Sequence, residues 1–216
     1  RYAAMVDSVD RSVGRVREAL EKNGCADRTL VIFTSDNGGL QNYTDNGPLR
    51  GGKGMLFEGG VRVPFIAWGA GTGSESRVVD DPIQLTDLVP TMLEMAKTPA
   101  PAKIPLIGTS LVQVLTGQGS LPQRDLIWHF PAYLEGKTKL HGPWRTTPAA
   151  SIVRGKWKLL EFFEDGRRFL FQLEADISEQ NDLSEKHPER VQELANCLAQ
   201  WRQQRNAPMP QHPEKP

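Results

Sequence analysis

The chain has 216 residues, enough for one large or two small domains with a substantial core. Lysine plus arginine equals aspartate plus glutamate at 26 each, so the net charge is zero and no basic excess points to nucleic acid or a membrane surface. No apolar run approaches the roughly 20 residues needed to cross a bilayer.

The chain opens with RYAAMVDSVD, showing no initiator Met, basic n-region or apolar h-region, so no signal peptide is visible. It begins inside a helical pattern, as a fragment of a longer protein would. Ala3, Val6, Val9, Val13, Val16 and Leu20 recur at spacings of three and four, and Gly24 follows as a stop, which predicts a helix over 2–22. Leu30, Val31, Ile32 and Phe33 predict a strand apolar on both faces, to be covered by helices on each side. Residues 36–60 are rich in glycine and irregular, and 61–68 predict a second strand. Thr86 or Asp87 caps a predicted helix in LVPTMLEMA, where Pro90 is tolerable because it falls in the first turn. Helix, strand, loop, strand, helix predicts an α/β layer with a mostly parallel sheet.

The proline-rich stretch 97–108 marks a linker or surface crossing. Beyond it, SIVRGKWKLLEFF, a turn at Glu164-Asp165-Gly166 and RRFLFQL predict a β-hairpin, and HPERVQELANCLAQWRQQ predicts a helix with Val191, Leu194, Leu198 and Trp201 on one face. The expected division is an α/β part over 1–118 and a small antiparallel α+β subdomain over 119–216. The tail PMPQHPEKP is ordered only if it docks. Cys25 and Cys197 lie far apart without metal-type spacing and read as free thiols.

The chemistry gathers where the first strand gives out. Asp36 offers carboxylate oxygens and Asn37 a neutral carbonyl oxygen, a pair suited to Ca²⁺ or Mg²⁺ rather than to a metal wanting nitrogen or sulfur. Taken alone, Asp-Asn-Gly-Gly is better read as an Asx turn, since these residues tolerate left-handed backbone. The following GPLRGGKGMLFEGGVRVP shifts the balance. Arg50 and Lys53 lie among glycines that let a cation approach an anion closely, and Lys53 supplies a point charge for sulfate or phosphate oxygens. Glu58 and Arg62, four apart and opposite in sign, read first as an ion pair holding the loop.

Taken in order and spacing, MVDSVDRSVGRV, TLVIFTSDNGG, GPLRGGKGMLFEGGVRVPFIAWGAG, LTDLVPTMLEMA, GTSLVQVLTG and RDLIWHFPAY resemble the C-terminal half of the type I sulfatases. These are arylsulfatase-like enzymes of the alkaline phosphatase superfamily, and the likeness runs on through the hairpin and last helix. The resemblance implies an alkaline phosphatase-like fold and hydrolysis of a sulfate ester, on a sulfated carbohydrate or an aryl sulfate. It implies Asp36 and Asn37 as ligands of a divalent cation, Ca²⁺ and alternatively Mg²⁺. It implies that Lys53 holds the sulfate and offsets charge in the transition state. His129, in WHFP, matches a segment near the mouth of the site and reads equally as a substrate contact or as a structural histidine bonded to a backbone carbonyl. A periplasmic or secreted location is implied by the resemblance alone. Ala132 after Pro131 and Ile107 before Gly108 depart from the family pattern.

The nucleophile of such enzymes is a formylglycine made in Cys-x-Pro/Ala-Ser-Arg, and that motif does not occur in this chain. Cys25, in CADRT, lacks the continuation. The formylglycine and the remaining metal aspartates are therefore expected in a preceding half, and the chain alone is expected to be inactive. Two other readings stay open: a non-catalytic remnant or binding module, and a phosphoryl-transfer relative. Lys53 without an adjacent His argues for sulfate.

Overall fold

The computed structural model describes residues 1–138 and 142–210. They fall into two compact units: residues 1–34 with 64–122, and 35–63 with the described residues from 123 onward.

In the first unit, α1 spans Tyr2–Lys22, as the periodicity predicts. None of its residues is buried, and Tyr2, Met5, Val6, Val9 and Val16 stand exposed along its apolar side. Strand β1 is Leu30–Thr34, and every residue in it is only half-buried. The expected strand over 61–68 begins later. Residues Glu58–Val61 instead form a single helical turn, α2, and β2 is Phe65–Gly69.

The mostly parallel sheet expected from the sequence is not what forms. Strands β1 and β2 pair antiparallel, Leu30 opposite Gly69 and Thr34 opposite Phe65, and the chain's other sheets are antiparallel as well. The physical reason is the connection. A parallel pair needs a crossover of a dozen or more residues, usually a helix packed on the sheet. Residues 35–64 supply only the four-residue α2, and 35–63 belong to the other unit.

Helix α3 is Leu88–Met95, preceded by a 3-10 turn at Leu85–Asp87. The fully buried Asp87 caps that turn by accepting the Gln84 N–H at 2.8 Å, and it also takes the Thr109 N–H at 2.9 Å. The short α4, Val112–Thr116, ends on the left-handed Gly117.

The second unit is built on a four-stranded antiparallel sheet in the order β3-β6-β7-β8: Asp125–Phe130, Ala149–Arg154, Trp157–Phe162 and Arg168–Gln172. The run SIVRGKWKLLEFF, expected as one arm of a hairpin, breaks into two strands at Gly155, whose φ of 55° makes the turn. Strands β4 (Leu134–Thr138) and β5 (Gly142–Thr146) form a separate two-stranded ribbon. Helix α5, Pro188–Arg205, starts on proline and ends at the left-handed Asn206. Of the proline-rich tail, residues 211–216 lie outside the described residues.

Alternation along the strands sorts the core into two layers. Ala150, Ile152, Leu159 and Leu170 pack on Leu194, Ala195 and Leu198 of α5. On the opposite face, Ala149, Leu160, Phe162 and Phe171 receive Met55 and Phe57 from the glycine-rich segment. Phe57 is 1% exposed, and burying such a side chain contributes about 1.5–3 kcal/mol. The irregular loop is therefore one layer of a core.

Candidate active site

Asp36 and Asn37 follow β1 after one residue, Ser35, in a bend rather than a regular element. The Ser35 hydroxyl donates to the Asn37 carbonyl at 2.8 Å, so the turn is held by Ser35 and by main chain. Neither the Asp36 carboxylate nor the Asn37 amide makes a hydrogen bond or ion pair among the described residues. Their oxygens are thus available to a hard cation, which fits a Ca²⁺ or Mg²⁺ ligand pair. They fall short of a full set, since Ca²⁺ takes roughly six to eight oxygens. No group of three or more His, Cys, Asp or Glu gathers among the described residues.

Lys53 is exposed and without a charged partner among the described residues. Its main chain is tightly placed. The Lys53 N–H donates to the Gly39 carbonyl at 3.0 Å, and the Gly38 N–H donates to the Gly60 carbonyl at 2.9 Å. The Asn46 amide bridges the carbonyls of Gly39 (2.8 Å) and Gly51 (3.1 Å). The Asp36-Asn37-Gly38-Gly39 turn and the Gly52-Lys53 turn are thus laced into one frame. Such close approach requires glycine: a Cβ on Gly38 would lie 1.8 Å from the Gly59 carbonyl oxygen.

A buried charge cluster fixes this frame to the sheet. Lys158 shares its strand face with Leu160 and Phe162, is fully buried, and reaches Glu58 Oε1 at 2.8 Å and Glu179 Oε1 at 2.9 Å. The Glu179 contact is a charge contact rather than an aligned hydrogen bond. The other Glu179 oxygen accepts the Glu58 N–H at 2.6 Å, and the Glu179 carbonyl accepts from Arg50 at 2.8 Å. Arg50 also stacks over Phe57, 4.1 Å from its centroid. Burial pushes the Glu179 carboxyl above the ordinary carboxylate range, and the Lys158 charge offsets only part of that. The expected Arg62–Glu58 pair is present at 3.4 Å, but it is the exposed edge of this cluster.

His129 sits on β3 with its ring against Phe163 and Trp201, centroids 5.5 and 5.9 Å away. Its Nε2 donates to the Pro208 carbonyl at 2.7 Å, while Nδ1 is buried without a partner among the described residues. None of these partners belongs to the 36–60 frame: main-chain bonds join the turns on which Asp36, Asn37 and Lys53 lie, while His129 bonds to residue 208.

The Lys158–Glu58–Glu179 cluster escaped the sequence reading, although a lysine in register with inward apolar residues was its available signal. A second missed feature borders Lys53. A Cβ on Gly54 would lie 2.3 Å from Leu134 Cδ2 and 3.1 Å from Arg145 Cδ, so the β4–β5 ribbon lies directly against the residue after Lys53.

Comparison with known proteins gives the chain's relatives. Residues 1–98 match the family model described as Sulfatase, and residues 52–205 match N-sulphoglucosamine sulphohydrolase, C-terminal. A sulfatase of Formosa agariphila is 34% identical over 96% of this chain and 40% of its own length. Mouse steryl-sulfatase is 37% identical over 62% of this chain and 23% of its own length. The chain thus spans well under half the length of these relatives. The crystal structure of Ps i-CgsB in complex with k-i-k-neocarrahexaose superposes with TM-score 0.76 at 30% identity, over 93% of this chain and 42% of that one. A phosphonate monoester hydrolase from Silicibacter pomeroyi superposes with TM-score 0.69 at 22% identity, over 91% of this chain and 39% of that one, a likeness of fold alone.

Proposed function

Because the chain belongs to the sulfatase family, we propose that it is the C-terminal portion of a sulfuric ester hydrolase, carrying the sulfate-holding lysine and part of the cation site. The observation that carries this reading is the lacing of the Lys53 N–H to the Gly39 carbonyl. It ties the turn that carries Lys53 to the turn that begins at Asp36 and Asn37, the lysine and the two oxygen donors on which the reading rests.

Asp36 and Asn37 hold a divalent cation, which when bound supplies Lewis-acid polarisation of a sulfate oxygen. Lys53 places its ammonium on another sulfate oxygen and offsets charge that grows as the ester bond breaks. A mobile cation would have to be ordered during the reaction; the Gly39 hydrogen bond and the Met55 and Phe57 anchors fix the lysine's backbone beforehand. The nucleophile, formylglycine in this family, comes from polypeptide outside these residues, so the chain alone turns over no sulfate ester. Sulfate-ester substrates, sulfated carbohydrates or aryl sulfates, are the class this site takes.

The test is hydrolysis of a nitrophenyl sulfate against the matching nitrophenyl phosphate by the full-length enzyme, with and without chelator. Preferential, cation-dependent release from the sulfate supports the reading. Preference for the phosphate would move the protein to phosphoryl transfer, and turnover of neither would leave a non-catalytic binding module.

A further inference from the structure

Glu179 combines two features that cost stability. Its carboxylate is fully buried, and its backbone stands in the left-handed region at φ 53°, which residues with a Cβ rarely adopt. Strain of this kind persists where the surrounding structure holds it in place, and it gathers at sites that use the geometry. The segment around Glu179 is firmly tied. The Glu179 N–H donates to the Asp176 carbonyl at 3.1 Å, and the Asn181 N–H donates to the Asp176 carboxylate at 2.7 Å. The Leu183 N–H donates to the Leu170 carbonyl of β8 at 2.8 Å, which anchors the segment to the sheet.

The use lies in the loop that bears Lys53. The Glu179 carbonyl accepts from Arg50 Nη1 at 2.8 Å, and its Oε2 accepts the Glu58 N–H at 2.6 Å. Arg50 precedes Lys53 in the loop and Glu58 follows it, so one residue from β8's far side of the sequence grips the loop on both sides of the lysine. The Arg50 carbonyl accepts the Gly59 N–H at 2.7 Å, which closes the loop at the same base. Lys158 Nζ stands 2.9 Å from the other carboxylate oxygen, Oε1, and holds the carboxylate in this orientation. Lys53 is exposed and without a charged partner among the described residues, so its placement depends on the backbone that carries it. We propose that Glu179 is a positioning residue for Lys53: by clamping Arg50 and Glu58 it fixes the backbone from which the lysine reaches the sulfate. This rests on the sulfate-ester reading above and adds to it a residue that touches no substrate. With the base of the loop freed, the ammonium is no longer placed in advance, and a misplacement of about 1 Å can cost on the order of 100-fold in rate.

The experiment is a double-mutant cycle on kcat and KM of the full-length enzyme with nitrophenyl sulfate. Glu179→Ala should lower kcat by about 10- to 100-fold, with a smaller change in KM. On a Lys53→Ala background the same change should lower kcat by no more than about two-fold, because residues that act through one another are not additive. A residue that only held the fold together would lower both backgrounds by the same factor. Glu179→Gln keeps an oxygen for the Glu58 N–H and the carbonyl for Arg50, and should retain most of kcat. Arg50→Gln frees the other end of the loop without stranding a buried carboxylate, so it tests the clamp even where Glu179→Ala folds poorly. Its loss should likewise vanish on the Lys53→Ala background. Wild-type kcat in both Glu179→Ala and Arg50→Gln, equal losses on the two backgrounds, or a Glu179→Gln enzyme no better than Glu179→Ala overturns the proposal. If the wild type hydrolyses the sulfate and Lys53→Ala impairs it, such a result removes Glu179 alone. If the wild type hydrolyses no sulfate ester, or Lys53→Ala changes nothing, the proposed function falls and takes the role of Glu179 with it.

Discussion

The main-chain N–H of Lys53 donates to the carbonyl of Gly39 across 3.0 Å, which binds a cationic turn to the turn that begins at Asp36. The bond is made by backbone, so it survives any change at the Lys53 side chain. Function at this position can therefore be separated from folding.

In the full-length enzyme, Lys53→Ala should lower kcat for a sulfate ester by roughly 10²–10³-fold, the usual loss when one preorganised donor is removed from a transition-state site. The denaturation midpoint should stay within experimental error of wild type, since the side chain is exposed. Unchanged turnover would remove Lys53 from the mechanism.

Asp36→Ala should raise the Ca²⁺ concentration needed for half-maximal activity by at least the roughly 10- to 100-fold that loss of an outer-shell partner alone costs. Titrating Ca²⁺ back into chelated enzyme measures this. A midpoint equal to wild type would return Asp36 to its bland role as a turn residue.

Lys158→Met leaves the buried Glu179 without its cation and Glu58 with only the exposed Arg62, and should destabilise this chain by about 3–5 kcal/mol in urea unfolding. Adding Glu58→Gln and Glu179→Gln to it should recover much of that loss. Glu179 also gives a pH signature. Burial raises its folded pKa above the ordinary 4.5, so its contribution is fully present below that value and is lost as pH rises through the folded one. Wild type should therefore gain stability relative to Glu179→Gln on acidification into that range.

Gly38→Ala puts a Cβ against the Gly59 carbonyl, a backbone atom that cannot swing aside. Unfolding should show a loss of at least about 1–3 kcal/mol, the usual cost of overpacking. Gly14→Ala is the contrasting change. It meets nothing within 4 Å inside α1 and should stabilise by roughly 0.5–1 kcal/mol in the same assay.

Some of this was legible from the chain alone. Helix α1, helix α5 and β1 fall close to where periodicity puts them, because each carries its own repeating apolar pattern. The sulfatase relationship was legible because SDNG and GGK-x₄-EGG-x-RVP are local strings whose glycines are demanded by backbone approach. Strand direction was not legible. A run such as Leu30–Thr34 reads the same whether its partner is parallel or antiparallel, and only the lack of a crossover helix between β1 and β2 decides it. The break at Gly155 had a signal in Arg154-Gly155-Lys156, but a glycine flanked by two charged residues also fits inside one exposed strand, and only the pairing of Arg154 with Trp157 decides it.

The sequence by itself determined the chemical inventory: an acid and an amide after a strand, a lysine in a glycine loop, and membership of the sulfatases. Only the tertiary structure decided how those groups are held and what stands beside them. Lys158 meets Glu58 and Glu179, and Arg145 meets Gly54, across separations in the chain that no periodicity encodes. Such contacts arise when a sheet face and a loop must exclude water together. Their partners are then set by which side chains fill the shared layer rather than by any pattern within one segment.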